Sequence, residues 1–493
     1  MRKPVCRENE REIKESRARS DSIEELAGSK WPAEPAEVSM NQTGRLFARV
    51  VLSAIGALAT HGASAQTADD AVVCNGPHST VAADDRIAAC TRVIDSGQWR
   101  VEALGWAYLN RCLAQYDKRA WDEALSDCSK AIEIDPKVAQ AFIKRGFVWQ
   151  AKGENDKAIA DYDEAIRLDP KDAVAFVNRG IAWGAMGDND RAIDDYDQAM
   201  QLDPKDAGAF FDRGYVWQAK GEYDKAIADY NEAIRLDPKL VRAFVNRGSA
   251  WLIKGDNDKA IADYDEAIRL DPKDAPAFAG RSIAWLGKGD GDRAIADSEE
   301  AMRIDPKDAH SFATRGNASN AKGDSNGAIA DFDEAIRLDP KWAGAHIDRG
   351  AVSFANGSLA NAQTDFAQAN AVDPKHAFAV LWLDLTERRN RLPSRLADLR
   401  TKLDMTAWPA PVVRYLLGEI DLAALLAAAA DPDPGKARGQ LCEARSFAGE
   451  MALINGDKDG SKDLLRLAAN ECPKNFIQWP AANAELRALG ASP

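Results

Sequence analysis

The sequence is short of histidine, of long apolar runs and of excess positive charge, and each shortage removes a class of function. Five histidines are spread over 493 residues, and none stands at a metal-ligand spacing from Cys, Asp or Glu, which argues against a metal centre built on histidine. After the N-terminus no stretch reaches the roughly 20 apolar residues that a membrane-spanning helix needs. Acidic residues outnumber basic ones by 78 to 64, for a net charge of −14. A binder of nucleic acid or of anionic membrane needs a basic face, which this balance does not supply. Also missing are a nucleophile–base constellation, a Gly-rich phosphate loop and any Cys-x-x-Cys pair, so neither a catalytic site nor a cofactor is expected. What is present is apolar material, 45% of the chain against 29% charged, enough for a core and too much for a disordered chain.

Residues 1–39 are polar and charge-mixed, and Met40 opens a different text. Arg45 and Arg49 precede an apolar run over 50–60, and Ala63-Ser64-Ala65 stands before Gln66. A basic end, an apolar core and an Ala-x-Ala site form a secretory signal peptide. The expected start is therefore Met40, with 1–39 a leader outside the natural product, 40–65 the signal and Gln66 the first mature residue. No Cys follows the cleavage site, so a lipid anchor is not expected. Export implies a periplasmic or secreted protein; a true start at Met1 would leave it in the cytoplasm.

The dominant feature is periodic. Asp-Pro recurs from Asp135-Pro136 and Asp169-Pro170 to Asp373-Pro374, always 34 residues apart. With this Pro as position 32, Gly fills position 8 from Gly146 to Gly350 with few exceptions. Ala fills position 20 from Ala124 to Ala362, and Gly fills position 15 from Gly153 to Gly357. A fixed 34-residue period with two helical patterns per unit resembles the tetratricopeptide repeat. The resemblance implies an all-α fold, a right-handed superhelix built as a solenoid of antiparallel pairs of helix A and helix B. Small residues at positions 8 and 20 let the two helices approach. Gly at position 15 ends helix A in a left-handed cap, and Asp-Pro stops helix B. Eight regular repeats cover 105–376, after a degenerate repeat at 66–104. Divergent helical repeats follow at 377–440, with helices expected over 378–390 and 394–403, a further pair running from Trp408 to Ala430, and a turn at 431–435. A last repeat covers 441–476, and 477–493 form a capping helix and tail.

Two ladders accompany the period. Trp149, Trp183, Trp217, Trp251 and Trp285 all stand at position 11, and are expected to pack between helices A and B rather than to stack sugars. Arg stands at position 7 and Asp at position 23 in all eight regular repeats. Facing each other in an antiparallel hairpin, they predict the ion pairs Arg145–Asp161, Arg179–Asp195, Arg213–Asp229 and Arg247–Asp263, whose main contribution is register. The matched Asp row argues against a phosphate-binding basic stripe.

Removing the leader leaves six cysteines. Cys112 and Cys128 are positions 8 and 24 of the first regular repeat. Cys74 and Cys90 reproduce that spacing in the leading unit, and Cys442 and Cys472 are positions 1 and 31 of the last repeat. Each pair of positions sums to 32, the condition for facing residues when the turn is centred on position 16. Three disulfides are predicted, each stapling one hairpin near an end of the array, where repeat arrays fray. Paired cysteines agree with an oxidising compartment.

The C-terminal third resembles the NlpI-type tetratricopeptide lipoproteins of the bacterial envelope. The matching text is 443–449, Leu453-Ile454-Asn455-Gly456-Asp457, 473–476 and 484–490, with Leu381-Trp382-Leu383 and 415–418 in support. That resemblance implies a non-enzymatic homodimeric adaptor that scaffolds an envelope protease and cell-wall hydrolases. The chain departs from the family in lacking the lipid-accepting Cys and in carrying more regular repeats.

In tetratricopeptide arrays helix A lines a concave groove. Here the groove positions read Ile143, Phe147, Val177, Ile181, Phe211, Tyr215 and Val245, turning polar at Asn317 and Asn320. Position 5 never holds Lys, so the carboxylate clamp of the chaperone-binding members is not expected. A peptide docking through apolar anchors fits better, unless these side chains pack between neighbouring repeats. The function expected is a non-enzymatic scaffold that binds proteins or peptides. One alternative is an intracellular co-chaperone or assembly factor, if Met1 is the true start. Another is an accessory subunit with a hidden hydrolase or transferase site near His310, His346 and His376, which stand at positions 2, 4 and 34 near helix starts and are expected to face solvent.

Overall fold

Each 34-residue unit folds as two antiparallel helices. In repeat 2, helix A spans Ala139–Ala151 and helix B Asn155–Leu168; in repeat 3 they span Ala173–Ala185 and Asn189–Leu202. This is a computed structural model of the chain, and it describes residues 65–492 apart from 78–79, 433, 474–475 and 477. The segments read as a leader and an export signal lie, up to Ser64, outside the described residues. Among the described residues every regular element is helical.

The helix ends follow from the punctuation. Helix A stops where Gly at position 15 takes a positive φ, 79° at Gly153 and 78° at Gly357, a conformation costly for any residue with a Cβ. In four repeats helix B starts on a capping aspartate at position 16, whereas Ala120, Glu154 and Ser358 make no such bond. Asp188, Asp256, Asp290 and Asp324 each accept the backbone N–H three residues ahead, which satisfies an otherwise orphaned donor. Helix B stops at Asp-Pro, where the Asp169 carboxylate accepts the Lys171 N–H at 3.1 Å. The Asp two residues beyond the Pro then caps the next helix A, Asp172 accepting from Val174 and Asp274 from Ala277.

Between the two helices of a pair, the side chain at position 24 packs against position 8. Tyr162, Tyr196 and Tyr264 are buried there, and a Cβ on Gly146 would lie 2.5 Å from the Tyr162 ring. Where position 8 is not Gly, a matched pair refills the slot. Cys112 and Cys128 join in a disulfide, and the hydroxyls of Ser282 and Ser298 lie 2.7 Å apart. The other two disulfides are Cys74–Cys90, with Cα atoms 4.7 Å apart, and Cys442–Cys472, at 4.9 Å. These are the three pairs that the position sums assign.

The chain divides into two compact units. Of the described residues, one unit holds 65–220 with 235–238, and the other 221–234 with 239–492. In each unit the helix pairs stack in chain order as a solenoid. Consecutive A helices touch one another, whereas no consecutive B helices meet as closely among the described residues, so the A helices form the inner face. The second unit ends in a core around Trp382, whose ring lies 5.3 Å from Phe354, 5.8 Å from Phe366 and 5.3 Å from Phe447. The final helix, Gln478–Ala488, packs against helix Lys458–Glu471 and back onto helix A of repeat 8, Ala343–Ala355.

Two local expectations are corrected. The segment read as a turn at 431–435 already contains the start of a long helix, Pro434–Ile454, because Pro suits the first helical turn. The helix expected over 394–403 reduces to Leu396–Leu399 and a 3-10 turn at Arg400–Lys402.

Candidate partner-binding face

The expected apolar groove is not an open surface. Ile143, Phe147, Val177, Ile181, Phe211 and Val245 are at most 9% exposed. Positions 5 and 9 lie in the seams between A helices, where a neighbouring repeat covers them; Tyr215, Asn317 and Asn320 remain half-exposed. Polar side chains on the A helices recur at position 6, a row that is itself largely buried, with Asn178, Asn246 and Thr314 at most 8% exposed.

In the first unit that row holds Asn110, Lys144, Asn178 and Asp212; in the second it holds Asn246, Gly280, Thr314 and Asp348. Most of these side chains are tied locally. Asn178 donates to the Val174 carbonyl at 2.7 Å, and the Thr314 hydroxyl donates to the His310 carbonyl at 2.9 Å. The Lys144 ammonium sits 4.9 Å from the centre of the Phe147 ring, and burial pushes its pKa down. Asp348 is half-buried and accepts from the Asn317 Nδ2 at 3.0 Å, and burial pushes its pKa up to about 6.

The arginine ladder is present and does more than pair. Arg179 meets both oxygens of Asp195, at 2.9 and 2.6 Å, and its remaining nitrogen reaches Asp163 at 2.5 Å. Asp163 is position 25 on helix B of the preceding repeat, so one guanidinium joins three helices. Arg281 with Asp297 and Asp265, and Arg349 with Asp365 and Asp333, repeat the arrangement. Arg145–Asp161 and Arg247–Asp263 keep the fork, but their third contacts are Ser129 and Asn231. The carboxylates hold the guanidiniums of Arg145, Arg179, Arg281 and Arg349 still higher in pKa than usual, through hydrogen bonding first. Position 25 was missed in the sequence, although its recurrent Asp was the available signal. A second ladder links Lys at position 14 to Asp at position 18 of the preceding repeat, as in Lys254–Asp224 at 2.7 Å. The paired guanidiniums are thus engaged inside the array.

The tryptophans pack, as expected, against the core between helices A and B, at its edge beside the fully buried Tyr at position 24. They are half-buried, and four lie under a cation from position 19: Lys157 is 4.5 Å from Trp149, Arg191 4.0 Å from Trp183, Lys259 4.1 Å from Trp251 and Arg293 4.3 Å from Trp285, an attractive arrangement. The histidines are placed differently than expected. His346 is buried, 3.8 Å from Asp365. The His310 ring lies 4.2 Å from that of Trp342, tilted by 33°, and His376 accepts the Ala379 N–H. Among the described residues no group of three or more His, Cys, Asp or Glu could hold a metal ion, and no helix is long and apolar enough to cross a membrane.

Comparison with known proteins agrees with this architecture. Models of the tetratricopeptide repeat match residues 177–241, 219–275 and 246–309, a second model matches 309–341, and a TPR repeat model matches 150–187. Similar solved structures include a tetratricopeptide repeat protein from Parabacteroides merdae, 20% identical over 48% of this chain and 93% of that one, with a TM-score of 0.40. YrrB, described as a TPR protein with an unusual peptide-binding site, is 23% identical over 36% of this chain and 92% of its own, with a TM-score of 0.32. The Cut9–Hcn1 hetero-tetramer of the APC/C aligns at 18% identity over 69% of this chain and 73% of that one, with a TM-score of 0.44. A search of curated proteins finds no match.

Proposed function

We propose that this chain, an array of tetratricopeptide repeats, is a non-enzymatic scaffold that holds protein or peptide partners on its inner face and works in an oxidising compartment reached by export. The observation that carries the reading is where polar groups are used up. Between repeats the charged groups are consumed by the arginine and lysine ladders, whereas the inner face presents partly exposed polar side chains at Tyr215, Asn317, Asn320 and Asp348, of which Asn317 and Asp348 bond one another. Repeated helix faces of this kind present extended concave surfaces to partners. Six cysteines paired as three disulfides support the compartment, as does the signal-like text at 40–65. By the C-terminal resemblance, the partners would be an envelope protease and cell-wall hydrolases, and the scaffold would be a homodimer.

Photo-crosslinking residues placed at Tyr215 and Asn320, and on the outer face at Arg269, test the reading in the living host. Discrete partner bands are expected from the inner-face sites and not from Arg269. Identical bands from both faces, or none, would remove the reading. The intact mass without reduction tests the compartment: a chain starting at Gln66 and lighter by three disulfides supports export, and one starting at Met1 with free thiols ends it.

A further inference from the structure

Two buried carboxylates of the second unit share one cation. Glu450 lies on helix Pro434–Ile454 and Glu485 on the final helix, Gln478–Ala488; they are 2% and 4% exposed. Both accept from Nη1 of Arg389, at the end of helix Ala377–Arg389, Glu450 at 3.2 Å. The same guanidinium lies 4.9 Å from the centre of the Phe354 ring on helix A of repeat 8, so one arginine joins four helices. Among the described residues the surrounding helices bring no second cation to the pair. Asp384 and Glu387, beside Arg389, are held by Arg388 and Arg395. On helix Lys458–Glu471, Glu471 is held by Arg445, Asp463 by Arg466 and Asp459 by Lys462, while Lys458 is exposed. On helix A of repeat 8, Arg349 is taken by Asp365 and Asp333, His346 stands beside Asp365, and Asp348 is bonded by Asn317. Arg414, on helix Ala410–Leu416, donates to the Met405 carbonyl, helix Leu422–Ala428 has no charged residue, and Arg487 of the final helix is exposed.

One guanidinium neutralises Glu485 only while Glu450 stays protonated; with both ionised, a negative charge is left buried without a partner. Burial first, and the Glu485 charge second, push the Glu450 pKa up to about 8. Departure of the final helix would relieve both causes, carrying Glu485 away and admitting water. That helix has 11 residues and holds on through small side chains. Ala481 joins the apolar cluster that includes Ile347 and Ala351 of helix A of repeat 8, and Ala482 and Leu486 join the cluster around Cys442 and Cys472. A terminal element of this size opens without global unfolding.

We infer that the final helix is a pH-sensitive lid on helix A of repeat 8, latched by Arg389 while Glu450 is protonated and loosened as that proton is lost. The lid belongs to the end of the array, and its behaviour is independent of which partner the inner face holds. In the released state Glu450 ionises near the ordinary value, roughly 4.3. Between that value and the closed-state value, rising pH therefore favours release.

Hydrogen exchange of the disulfide-intact protein at pH 5.5 and 7.5 tests this, read as protection factors so that base catalysis of the chemical step divides out. Residues 478–488 should lose protection at least about ten-fold over this range, what one pH unit of a single proton supplies, while helix Asn257–Leu270 keeps its own. Glu450→Gln has no proton to lose and should largely abolish the loss. Glu485→Gln, which leaves one carboxylate to one guanidinium, should reduce it, and stands in if the first variant does not fold. Retained protection over 257–270 reports folding in both. Unchanged protection of 478–488 in the natural protein overturns the inference, as does an equal loss in a folded variant. A loss shared by 257–270 overturns it too, because the titration would then act on the whole unit rather than on a lid.

Discussion

Positions 8 and 24 behave as one choice. Gly with an aromatic ring, Cys with Cys and Ser with Ser all fill the same slot between helices A and B, because close-packed interiors fix the sum of the two volumes rather than either one. A methyl group added at Gly146 has no room: its Cβ would lie 2.5 Å from Tyr162 Cε1, and Tyr162 is buried on all sides. Gly146→Ala should destabilise the protein by about 1–3 kcal/mol, the usual cost of overpacking, as read from the shift of a urea unfolding curve. No shift would mean that the ring can move aside. A second residue-scale prediction concerns Glu450 and Glu485, both buried and both bonded to Arg389. Burial first, and the neighbouring Glu485 charge second, push the Glu450 pKa up to about 8. In the unfolded chain a glutamate releases its proton near pH 4.3, roughly. The folded state therefore holds the extra proton between these values, and this group's contribution to stability is lost as pH rises through that window. Melting temperatures of the natural protein should fall between pH 5 and 8 more steeply than those of Glu450→Gln, which has no proton to lose. Parallel curves would place the titration elsewhere.

At the scale of the helix, neighbouring repeats are tied by charge at two heights, through arginine at position 7 and lysine at position 14. The lysine ladder has two gaps, at Met186 and at Asn356, and only the first faces an Asp at position 18 of the preceding repeat. Met186 stands at position 14 of repeat 3, 46% exposed, and Asp156 at position 18 of the preceding repeat has no lysine opposite. Met186→Lys should close the gap with a gain of less than about 1 kcal/mol, as befits an exposed pair. The gain should shrink in 0.5 M salt, roughly, as screening shortens the reach of surface charges. A gain indifferent to salt would assign the effect to loss of an exposed apolar side chain instead. The helix bounds, the Arg–Asp forks and the cysteine pairs were legible in the sequence because a 34-residue period locates each position relative to both helices of its own hairpin. What covers a position from the next repeat was not legible, since the period says nothing of the spacing between hairpins. For that reason Phe147 and Ile181, read as groove anchors, are buried in the seams. The cations over the indoles of Trp149 and Trp183 were not legible either, although the packing of both rings against the core was.

For the molecule as a whole, stability is close to a sum of repeat terms and nearest-neighbour terms. A repeat inside a stack is held from two sides, and a terminal one from one side only. The staples sit where that deficit falls: the first two hairpins of one unit hold Cys74–Cys90 and Cys112–Cys128, and the last repeat of the other holds Cys442–Cys472. No cysteine occurs between Cys128 and Cys442. Closing a loop of 16 residues contributes about 3 kcal/mol in the chain-entropy model, and one of 30 residues somewhat more. Spread over the whole chain this would be a modest increment; applied to a single terminal hairpin it is comparable to everything else that holds the hairpin closed. Hydrogen exchange after mild reduction should therefore accelerate first over 83–134 and 441–471, while helices such as Asn189–Leu202 and Asn257–Leu270 keep their protection. Cys442→Ala with Cys472→Ala should reproduce only the second of these losses. Uniform acceleration along the chain would mean that opening at the ends and opening at the centre are one cooperative event, and the staples would then act on the array as a whole rather than on its ends.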